Sequence, residues 1–363
     1  MFLRIGPCST LMGDGKAFVI SVCIPAYNRA SVLQELLDSI LQQTGVEFEI
    51  VIAEDGSPER GGIRSVVAAT SARWPGVIRY FENRTNLGYD GNLRQLFQLA
   101  RGEYCLFMGN DDLMCPAALA TVEAAIQRYP DVGAVMRTYA TFDSDPRTVR
   151  EVFRYFPNER FFPAGADSVV TFFRRMVVIS GIVLNRKAAL RCATERHDGS
   201  LLYQLHVVAN ILAEMNGVFL PEVLTLYRLG GIPDFGHSAS EQGKFVPGRQ
   251  TPASSLHFMQ GMLEIARAVE ADRGLPVFRP IVRDLGNYSF PFIAIQRRQP
   301  VSVFLAYCGG LARLGFARVP LFWAYCLGLL VLGERIAGGL VTFLRRRIGH
   351  APKLGMVYGG EAR

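Results

Sequence analysis

The sequence lacks the patterns that organise a disulfide framework, a zinc site or a Rossmann cofactor site. Its seven cysteines among 363 residues include no Cys-x-x-Cys pair. An odd number with irregular spacing favours reduced, mostly buried thiols over disulfides or zinc ligands. No G-x-G-x-x-G follows the first apolar run, which argues against a Rossmann dehydrogenase. The segment PAYNRAS also lacks the Gly-rich, basic loop that a nucleotidyltransferase would carry there.

Excess positive charge is scarce outside the C-terminal part of the chain. The net charge is +7, and residues 301–363 hold eight Arg or Lys and two Glu, which is +6 of that total. The +1 that remains gives no reason to expect a nucleic-acid partner. Half of the residues are hydrophobic and a fifth are charged, so the sequence predicts a large folded core rather than disorder.

Short apolar runs alternate with segments of helical periodicity up to about residue 130. The runs AFVISVCIPAY, FEIVIAEDGSPE, VIRYFEN and EYCLFMGNDD are short and apolar enough to be strands. Each is followed by a segment such as RASVLQELLDSILQQT, in which Leu and Ile recur three and four residues apart. This alternation predicts an α/β doubly wound sheet that is parallel at least through its first half.

Polar residues follow each of the four predicted strands, at the point where the strand ends. In doubly wound sheets ligands bind beyond the carboxyl ends of the strands, so we expect these turns to form one site. Taken alone, the turn after the second strand is equally well explained as a helix cap or a solvated loop. The residues singled out in these turns are Tyr27, Asn28, Arg29, Glu54, Asp55, Asn86, Gly88, Asn110, Asp111 and Asp112.

The adjacent carboxylates of Asp111 and Asp112 end a nearly all-apolar strand. Their charges repel each other unless a cation or hydrogen-bond donors compensate. Mg²⁺ in proteins typically takes one or two carboxylates together with phosphate oxygens. Mg²⁺ or Mn²⁺ bridging the pair to a diphosphate would offset the charge of both, and the cation would stabilise the charge on a leaving nucleoside diphosphate.

Three segments together resemble the family 2 glycosyltransferases of the GT-A fold. They are ISVCIPAYNRASVLQELLDSILQQ, FEIVIAEDGSPE and NLGYDGNLRQLFQLARGEYCLFMGNDDLMCPAAL, and the resemblance covers residues 18–135. The motifs look closest to the bacterial branch that builds surface polysaccharides, such as abequosyltransferase-like enzymes. The resemblance implies a GT-A type, Rossmann-like doubly wound sheet.

The resemblance also implies roles for residues of the predicted donor site. Asp55 would accept a hydrogen bond from the nucleotide base. Pro25, Ala26 and Tyr27 would line the base and ribose, and Asn86, Gly88 and Asn92 would shape the donor pocket. The predicted donor-binding set is completed by Asn28, Arg29, Glu54, Asn110 and Asp111.

The resemblance places the metal ligand on an Asp-x-Asp-like element. Asp112 would bind Mg²⁺ or Mn²⁺, and Asp111 would face the ribose or the sugar and is included as a second candidate ligand. The first position of the element is Asn110, which makes the affinity for metal a point to test.

An inverting transferase needs a base to take the proton of the acceptor hydroxyl. The family usually supplies an acid near the start of a helix after a segment like SGIVLNRKAAL, which is present here at 180–190. The usual Glu-Asp pair is not cleanly there, and the matching place falls near Gln204 to His206. We favour Asp198 as the base, with His206 second. The alternative for His206 is a buried histidine on an apolar helix.

The predicted organisation has five parts. Residues 1–16 are interpreted as a loose leader rather than a signal peptide. Residues 17–230 form the GT-A glycosyltransferase domain. Residues 231–255, rich in Gly, Pro, Ser and charges, form a flexible loop that either covers the donor site or is a linker. Residues 256–350 form a helical, membrane-associated region, and residues 351–363 form a tail.

The C-terminal region contains an uncharged run of fifteen residues, 319–333, that Glu334 and Arg335 interrupt. A membrane span needs about 20 apolar residues. The run is therefore compatible with an interfacial helix, with a soluble core or oligomer contact, and with a true span. Flanking arginines, including those at 345–347, favour helices lying on an anionic membrane surface. We expect a peripheral protein on the cytoplasmic face of the inner membrane.

The sequence thus predicts an inverting, metal-dependent glycosyltransferase of the hexosyl or deoxyhexosyl type. It would move a sugar from a nucleoside-diphosphate sugar to a hydroxyl of a saccharide acceptor, which is lipid-linked if the enzyme works at a membrane. The alternative is a catalytically silent protein that binds a nucleotide sugar or acts as a membrane scaffold. Such a protein would bind nucleoside diphosphate without turnover.

Overall fold

The computed structural model describes residues 20–231 and 234–348. The leader predicted at 1–16 and the tail predicted at 351–363 lie outside the described residues. Within the described ranges the strands are β1 (Ile20–Ala26), β2 (Phe48–Glu54), β3 (Ile78–Glu82), β4 (Tyr104–Phe107), β5 (Leu113–Met114), β6 (Val132–Phe142), β7 (Val149–Phe153), β8 (Arg160–Phe162), β9 (Val183–Asn185) and β10 (Asn216–Arg228).

The α-helices follow the strands and then continue alone at the C-terminal side of the chain. They are α1 (Ala30–Leu41), α2 (Arg60–Arg73), α3 (Gly88–Leu99), α4 (Ala118–Arg128), α5 (Ala166–Phe173), α6 (Arg186–Arg191), α7 (Tyr203–Leu212), α8 (Pro252–Arg273), α9 (Phe278–Asn287), α10 (Phe290–Gln296), α11 (Val301–Arg313) and α12 (Pro320–Ile348).

The strands form one sheet whose central order is β3-β2-β1-β4-β9-β6-β10-β5. The first four strands pair in parallel, which confirms the predicted parallel half. Beyond them the sheet is mixed, because β9 runs antiparallel to both β4 and β6. The strand order reverses at β1, so the carboxyl ends of β1 and β4 flank the switch point where doubly wound sheets bind ligands.

Helices cover both faces of the sheet and bury their apolar stripes against it. On one face Leu33, Leu36 and Ile40 of α1 are fully buried, and they recur at the three- and four-residue spacing of one helix face. The same core includes residues of α2 and α4. The opposite face is covered by α3, α5 and α7, whose core continues into the C-terminal helices.

The buried carboxylate of Asp90, in the first turn of α3, fixes the backbone that leads into α7. It accepts hydrogen bonds from the N–H groups of Gly199 (2.9 Å), Ser200 (3.0 Å), Leu201 (2.9 Å) and Tyr203 (2.8 Å). Leu201 has a φ of 63°, a left-handed conformation that a non-glycine residue adopts only when its surroundings enforce it. Asp90 therefore connects α3 to a turn that is more than a hundred residues away in sequence.

The segment between β10 and α8, which includes most of the loop predicted at 231–255, contains no helix or strand among its described residues. The following helix starts at Pro252, inside that range. Thr251 is the N-cap of α8, because its hydroxyl accepts a hydrogen bond from the Ser254 N–H at 3.0 Å. Pro252 occupies the first turn of the helix, where a proline is favoured.

Helix α12 is broken at Gly333, where φ is 73° and ψ is 175°. Residues 320–343 are apolar and long enough to cross a membrane by length and composition alone. Phe322 and Leu329 point inward and are fully buried. The opposite side is apolar too and is open to solvent, with exposed fractions of 63% for Leu327 and 70% for Val331.

We expect Asp90→Ala to lower the free energy of unfolding by about 3 kcal/mol, because four buried N–H groups lose a charged acceptor. Urea unfolding followed by circular dichroism measures this. Asp145→Ala is the control, since Asp145 lies on the surface and pairs with Arg147. Equal midpoints for the two variants would contradict the anchoring role of Asp90.

Candidate functional site

A cavity opens at the carboxyl ends of β1, β2 and β4, and most of the predicted donor-site and metal-site residues line it. It is also bounded by residues 177–180, the start of α7 and the segment after β10. The predicted residues that the structure brings together here are Pro25, Tyr27, Arg29, Asp55, Asn86, Gly88, Asn92, Asn110, Asp111 and Asp112.

Three predicted donor-binding residues, Ala26, Asn28 and Glu54, are not part of the cavity lining. Ala26 is fully buried in β1. Glu54 is fully buried and closes its own turn, because its carboxylate accepts hydrogen bonds from Ser57 N–H and from Arg60 Nε, both at 2.6 Å. Asn28 accepts at its carbonyl from the Asn110 amide at 2.9 Å, which joins the turns after β1 and β4.

The two adjacent acids are compensated by groups from three distant segments. Arg29 Nη1 lies 2.7 Å from Asp111 Oδ2. One oxygen of Asp112 accepts a hydrogen bond from the Ser180 hydroxyl, and the other accepts from the Arg228 N–H at 2.9 Å. Burial and the charge of Asp111 still raise the pKa of Asp112 to about 8. A cation bound next to Asp112 would favour the ionised form of this carboxyl group.

The cavity as a whole is strongly acidic. Among the residues that the structure describes, its charged lining consists of one guanidinium, from Arg29, and five carboxylates. In the described ranges no three His, Cys, Asp or Glu side chains are arranged to hold a metal by themselves. The pair Asp111 and Asp112 therefore fits a hard cation that takes its other ligands from phosphate or water.

Asp55 lies at the mouth of β2, on the side of the cavity predicted to hold the base. Its Oδ1 accepts hydrogen bonds from Asn83 Nδ2 and from the Leu87 N–H, both at 2.8 Å. Burial raises the pKa of Asp55 to about 7, although these two donors act in the opposite direction. Asn92 stabilises the same corner by donating to the Ala53 carbonyl at 3.0 Å.

The segment 234–245 packs over this end of the cavity. Asp234 accepts a hydrogen bond from the Asn28 amide, and the His237 ring stacks on Tyr27 with centroids 5.7 Å apart. Glu241 accepts from the N–H groups of Tyr89 and Gly236, both at 2.8 Å. A loop that closes over a site in this way shields it from water.

The two predicted catalytic residues do not line the cavity. Asp198 forms a bidentate pair with Arg94, at 2.6 and 2.9 Å. His206 Nε2 donates a hydrogen bond to the Cys192 carbonyl at 2.8 Å, and burial lowers the pKa of His206. Both roles stay predictions, but the structure does not bring either side chain to the predicted metal ligands.

Several residues that line the cavity were not predicted from the sequence. Asp234 and Glu241 belong to the Gly- and Ser-rich loop, which has no helical or strand periodicity from which their positions could be predicted. Ser180 begins the motif SGIVLNRKAAL, and Gln204 lies in the stretch considered for the base, so a signal existed for both. Both residues line the cavity, which the sequence alone does not reveal.

Comparison with known proteins identifies the domain. Residues 21–192 match the family described as Glycosyl transferase family 2, and this segment therefore belongs to that family, as the sequence predicted. Over 114 residues the chain is 32% identical to abequosyltransferase RfbV of Salmonella typhimurium. Over 115 residues it is 40% identical to an uncharacterized protein of Mycobacterium tuberculosis. Each match covers about a third of the chain (31% and 32%) and 34% of the relative.

Solved structures share the fold at low sequence identity. The structure of Staphylococcus aureus TarS residues 1–349 superposes with a TM-score of 0.57 at 15% identity, over 89% of this chain and 91% of that chain. The mannosyltransferase PcManGT of Pyrobaculum calidifontis gives 0.50 at 16% identity, over 94% and 84%. The chain therefore has the GT-A type fold.

We expect nucleotide affinity to rise between pH 6 and pH 8, because Asp55 is protonated below about pH 7 and an ionised carboxylate accepts the stronger hydrogen bond. The change should reach about fivefold in Kd for the nucleoside diphosphate that binds best, measured by calorimetry with Mn²⁺. Asp55→Asn should lose this component while keeping the contributions of the phosphate itself and of Asp112, whose pKa is about 8. The same pH dependence in both proteins would contradict the role of Asp55.

Proposed function

We propose that the chain transfers a sugar from a nucleoside-diphosphate sugar to a hydroxyl of a saccharide acceptor. The observation that carries the proposal is the clustering of Asp55, Asp111 and Asp112 at the switch point of a family 2 domain. Solved structures with the same fold include TarS in complex with UDP-GlcNAc and PcManGT in complex with GDP-Man and Mn²⁺.

Asp112, together with Asp111, would hold Mg²⁺ or Mn²⁺ against the donor diphosphate. When bound, the cation supplies Lewis-acid stabilisation of the departing diphosphate. Ser180 and Arg228 orient the Asp112 carboxylate, and such supporting hydrogen bonds tune metal sites. Tyr27 and Asp55 would bind the nucleoside, and the segment 234–245 would exclude water from the donor.

The reaction we propose inverts the anomeric centre by direct attack of the acceptor hydroxyl, whose proton passes to a base. Asp198 and His206 remain the proposed bases. The pairing of Asp198 with Arg94 favours one second candidate, a protein that binds the nucleotide sugar without transferring it. Turnover of the donor, including slow hydrolysis, distinguishes the two.

We also propose that the outer face of α11 and α12 lies on an anionic membrane, where the chain would meet a lipid-linked acceptor during assembly of a bacterial surface polysaccharide. Residues 320–332 are about 20 Å long, too short for a hydrocarbon core of about 30 Å. After the break at Gly333, the charge of Glu334 is paired with Arg298 at 3.0 Å. Contact with the cytoplasmic leaflet is consistent with an apolar face that is flanked by arginines.

Calorimetric titration with UDP, GDP, CDP and dTDP, each with Mn²⁺ and with EDTA, tests the donor site. We expect one nucleotide to bind with Mn²⁺ and its affinity to fall at least about tenfold in Asp112→Asn, because the metal loses a charged ligand. The side chain keeps its size, so the fold should survive. Asp145→Asn is the matched surface control. Absence of binding by all four nucleotides would contradict the proposed transferase.

Fluorescence tests the membrane face, because the chain has two tryptophans and Trp74→Phe leaves Trp323 as the reporter. We expect a blue shift of its emission with phosphatidylglycerol vesicles and a clearly smaller one in Val331→Glu, since a charge would enter the apolar layer. Val152→Glu is the matched control on exposed β7. An unchanged spectrum, or a shift that follows protein concentration without vesicles, would contradict the membrane contact.

A further inference from the structure

Arg29 is the only positively charged side chain that lines the cavity in the part of the chain that the structure describes. Its Nη1 lies 2.7 Å from Asp111 Oδ2, so it occupies one oxygen of a carboxylate that we propose as a ligand of the cation. The Arg29 side chain is 32% exposed and that of Asp111 is 12% exposed. Both partners of this ion pair are therefore accessible to a ligand in the cavity.

The position of Arg29 is unfavourable for an arginine on local grounds. Arg29 is the N-cap of α1, and its side chain makes no capping hydrogen bond. Small polar residues are favoured at an N-cap, and a positive charge is disfavoured at this end of the helix dipole. The Ala30 N–H donates instead to the Glu59 carboxylate at 2.8 Å. The stability of α1 therefore does not explain the arginine.

The backbone that carries Arg29 is left-handed at two successive residues. Asn28 has a φ of 52° and Arg29 a φ of 64°, which non-glycine residues adopt only where the surroundings enforce it. The Asn110 amide donates to the Asn28 carbonyl at 2.9 Å, and the Glu59 N–H donates to the Asn28 side chain at 3.3 Å. The turn after β4 thus fixes the turn after β1, and the fixed turn places Arg29 next to Asp111.

A guanidinium on Asp111 opposes the binding of a metal cation there. The two positive groups would use the same carboxylate, and like charges repel strongly at short distance in a partly buried site. A diphosphate changes this balance, because phosphate oxygens accept hydrogen bonds from a guanidinium as well as a carboxylate does. Arg29 therefore gains a second anionic partner when a nucleoside diphosphate is bound.

We propose that Arg29 holds Asp111 in the empty site and transfers its guanidinium to the donor diphosphate when the nucleotide binds. The transfer frees the Asp111 oxygen for the cation. Nucleotide and cation then favour each other's binding, because each binds better once Arg29 has left Asp111. The inference rests on the proposed donor site and adds to it the residue that couples the two ligands of that site.

The test measures four affinities in the full chain and in Arg29→Gln, which removes the charge. Electron paramagnetic resonance of free Mn²⁺ gives the affinity for Mn²⁺ alone and in the presence of saturating nucleoside diphosphate, the one that binds wild type best. Calorimetry gives the affinity for that nucleotide with EDTA and with Mn²⁺. Chelation of Mn²⁺ by free nucleotide is the same for every variant, so it does not affect the comparison.

Three further variants complete the test. Arg29→Lys keeps the charge and is the conservative variant. Arg64→Gln is the matched control, because Arg64 pairs with the Glu82 carboxylate at 2.7 Å and neither residue lines the cavity. Arg29→Asn replaces Arg29→Gln if the latter does not fold, since asparagine adopts the left-handed conformation more readily.

We expect Arg29→Gln to bind Mn²⁺ alone about tenfold more tightly than wild type, because the competing charge is gone, and to keep little of this gain when the nucleotide is bound. By linkage, the increase in nucleotide affinity that Mn²⁺ causes should fall by the same factor. The nucleotide affinity with EDTA should fall as well, since the diphosphate loses a charged donor. Arg29→Lys should bind Mn²⁺ alone as weakly as wild type.

Two results overturn the inference while wild type still binds the nucleotide. An affinity of Arg29→Gln for Mn²⁺ alone that matches the affinity of Arg64→Gln would show that Arg29 does not compete with the cation. An equal gain with and without the nucleotide would show that Arg29 stays on Asp111 as a fixed counter-ion. If wild type binds no nucleotide at all, the proposed function fails first and the exchange fails with it.

Discussion

The repulsion between two desolvated carboxylates, Asp111 and Asp112, is the constraint around which this site is built. Each compensating group comes from a different part of the chain: Arg29 from the turn after β1, Ser180 from the segment before β9 and Arg228 from the end of β10. The folded chain buries the two acids together by bringing these three segments against them. The same contacts leave the pair short of positive charge, which a hard cation would supply.

The chemistry of the cavity changes along its length because two kinds of element form its walls. The parallel strands deliver acids and amides at their carboxyl ends, as doubly wound sheets generally do. The apolar end is formed instead by residues 177–180 and by the starts of α7 and α8. Both helices contribute to the hydrophobic core on the face of the sheet that α3 and α5 cover. A nucleoside diphosphate and a sugar differ in the same sense, one highly charged and the other partly apolar.

Local patterns were sufficient to predict the parallel half of the sheet and the turns that end its strands, because both depend on short apolar runs and on the shared edge of a parallel sheet. The prediction of the catalytic base was not supported by a local pattern of this kind. Gln204 and His206 are two residues apart on α7, which turns their side chains by about 200°, so only one of them can face the cavity. Asp198 is oriented by Arg94, a partner 104 residues earlier. The contacts of Asp234 with Asn28 span 206 residues and leave no trace in local composition.

Helix α3 reaches both ends of the cavity. Its first residue, Gly88, has a φ of 78°, which favours glycine, and a Cβ there would lie 2.5 Å from the Ser238 hydroxyl, so that side chain would have to shift. Two residues later Asp90 holds the turn that presents Leu201. Helix α3 thus connects the segment 234–245 to the apolar end of the cavity. A substitution at either end would act on the other through the backbone of α3. The two ends of the cavity are therefore coupled through the first turn of α3, which contacts the segment 234–245 at Gly88 and the turn before α7 at Asp90.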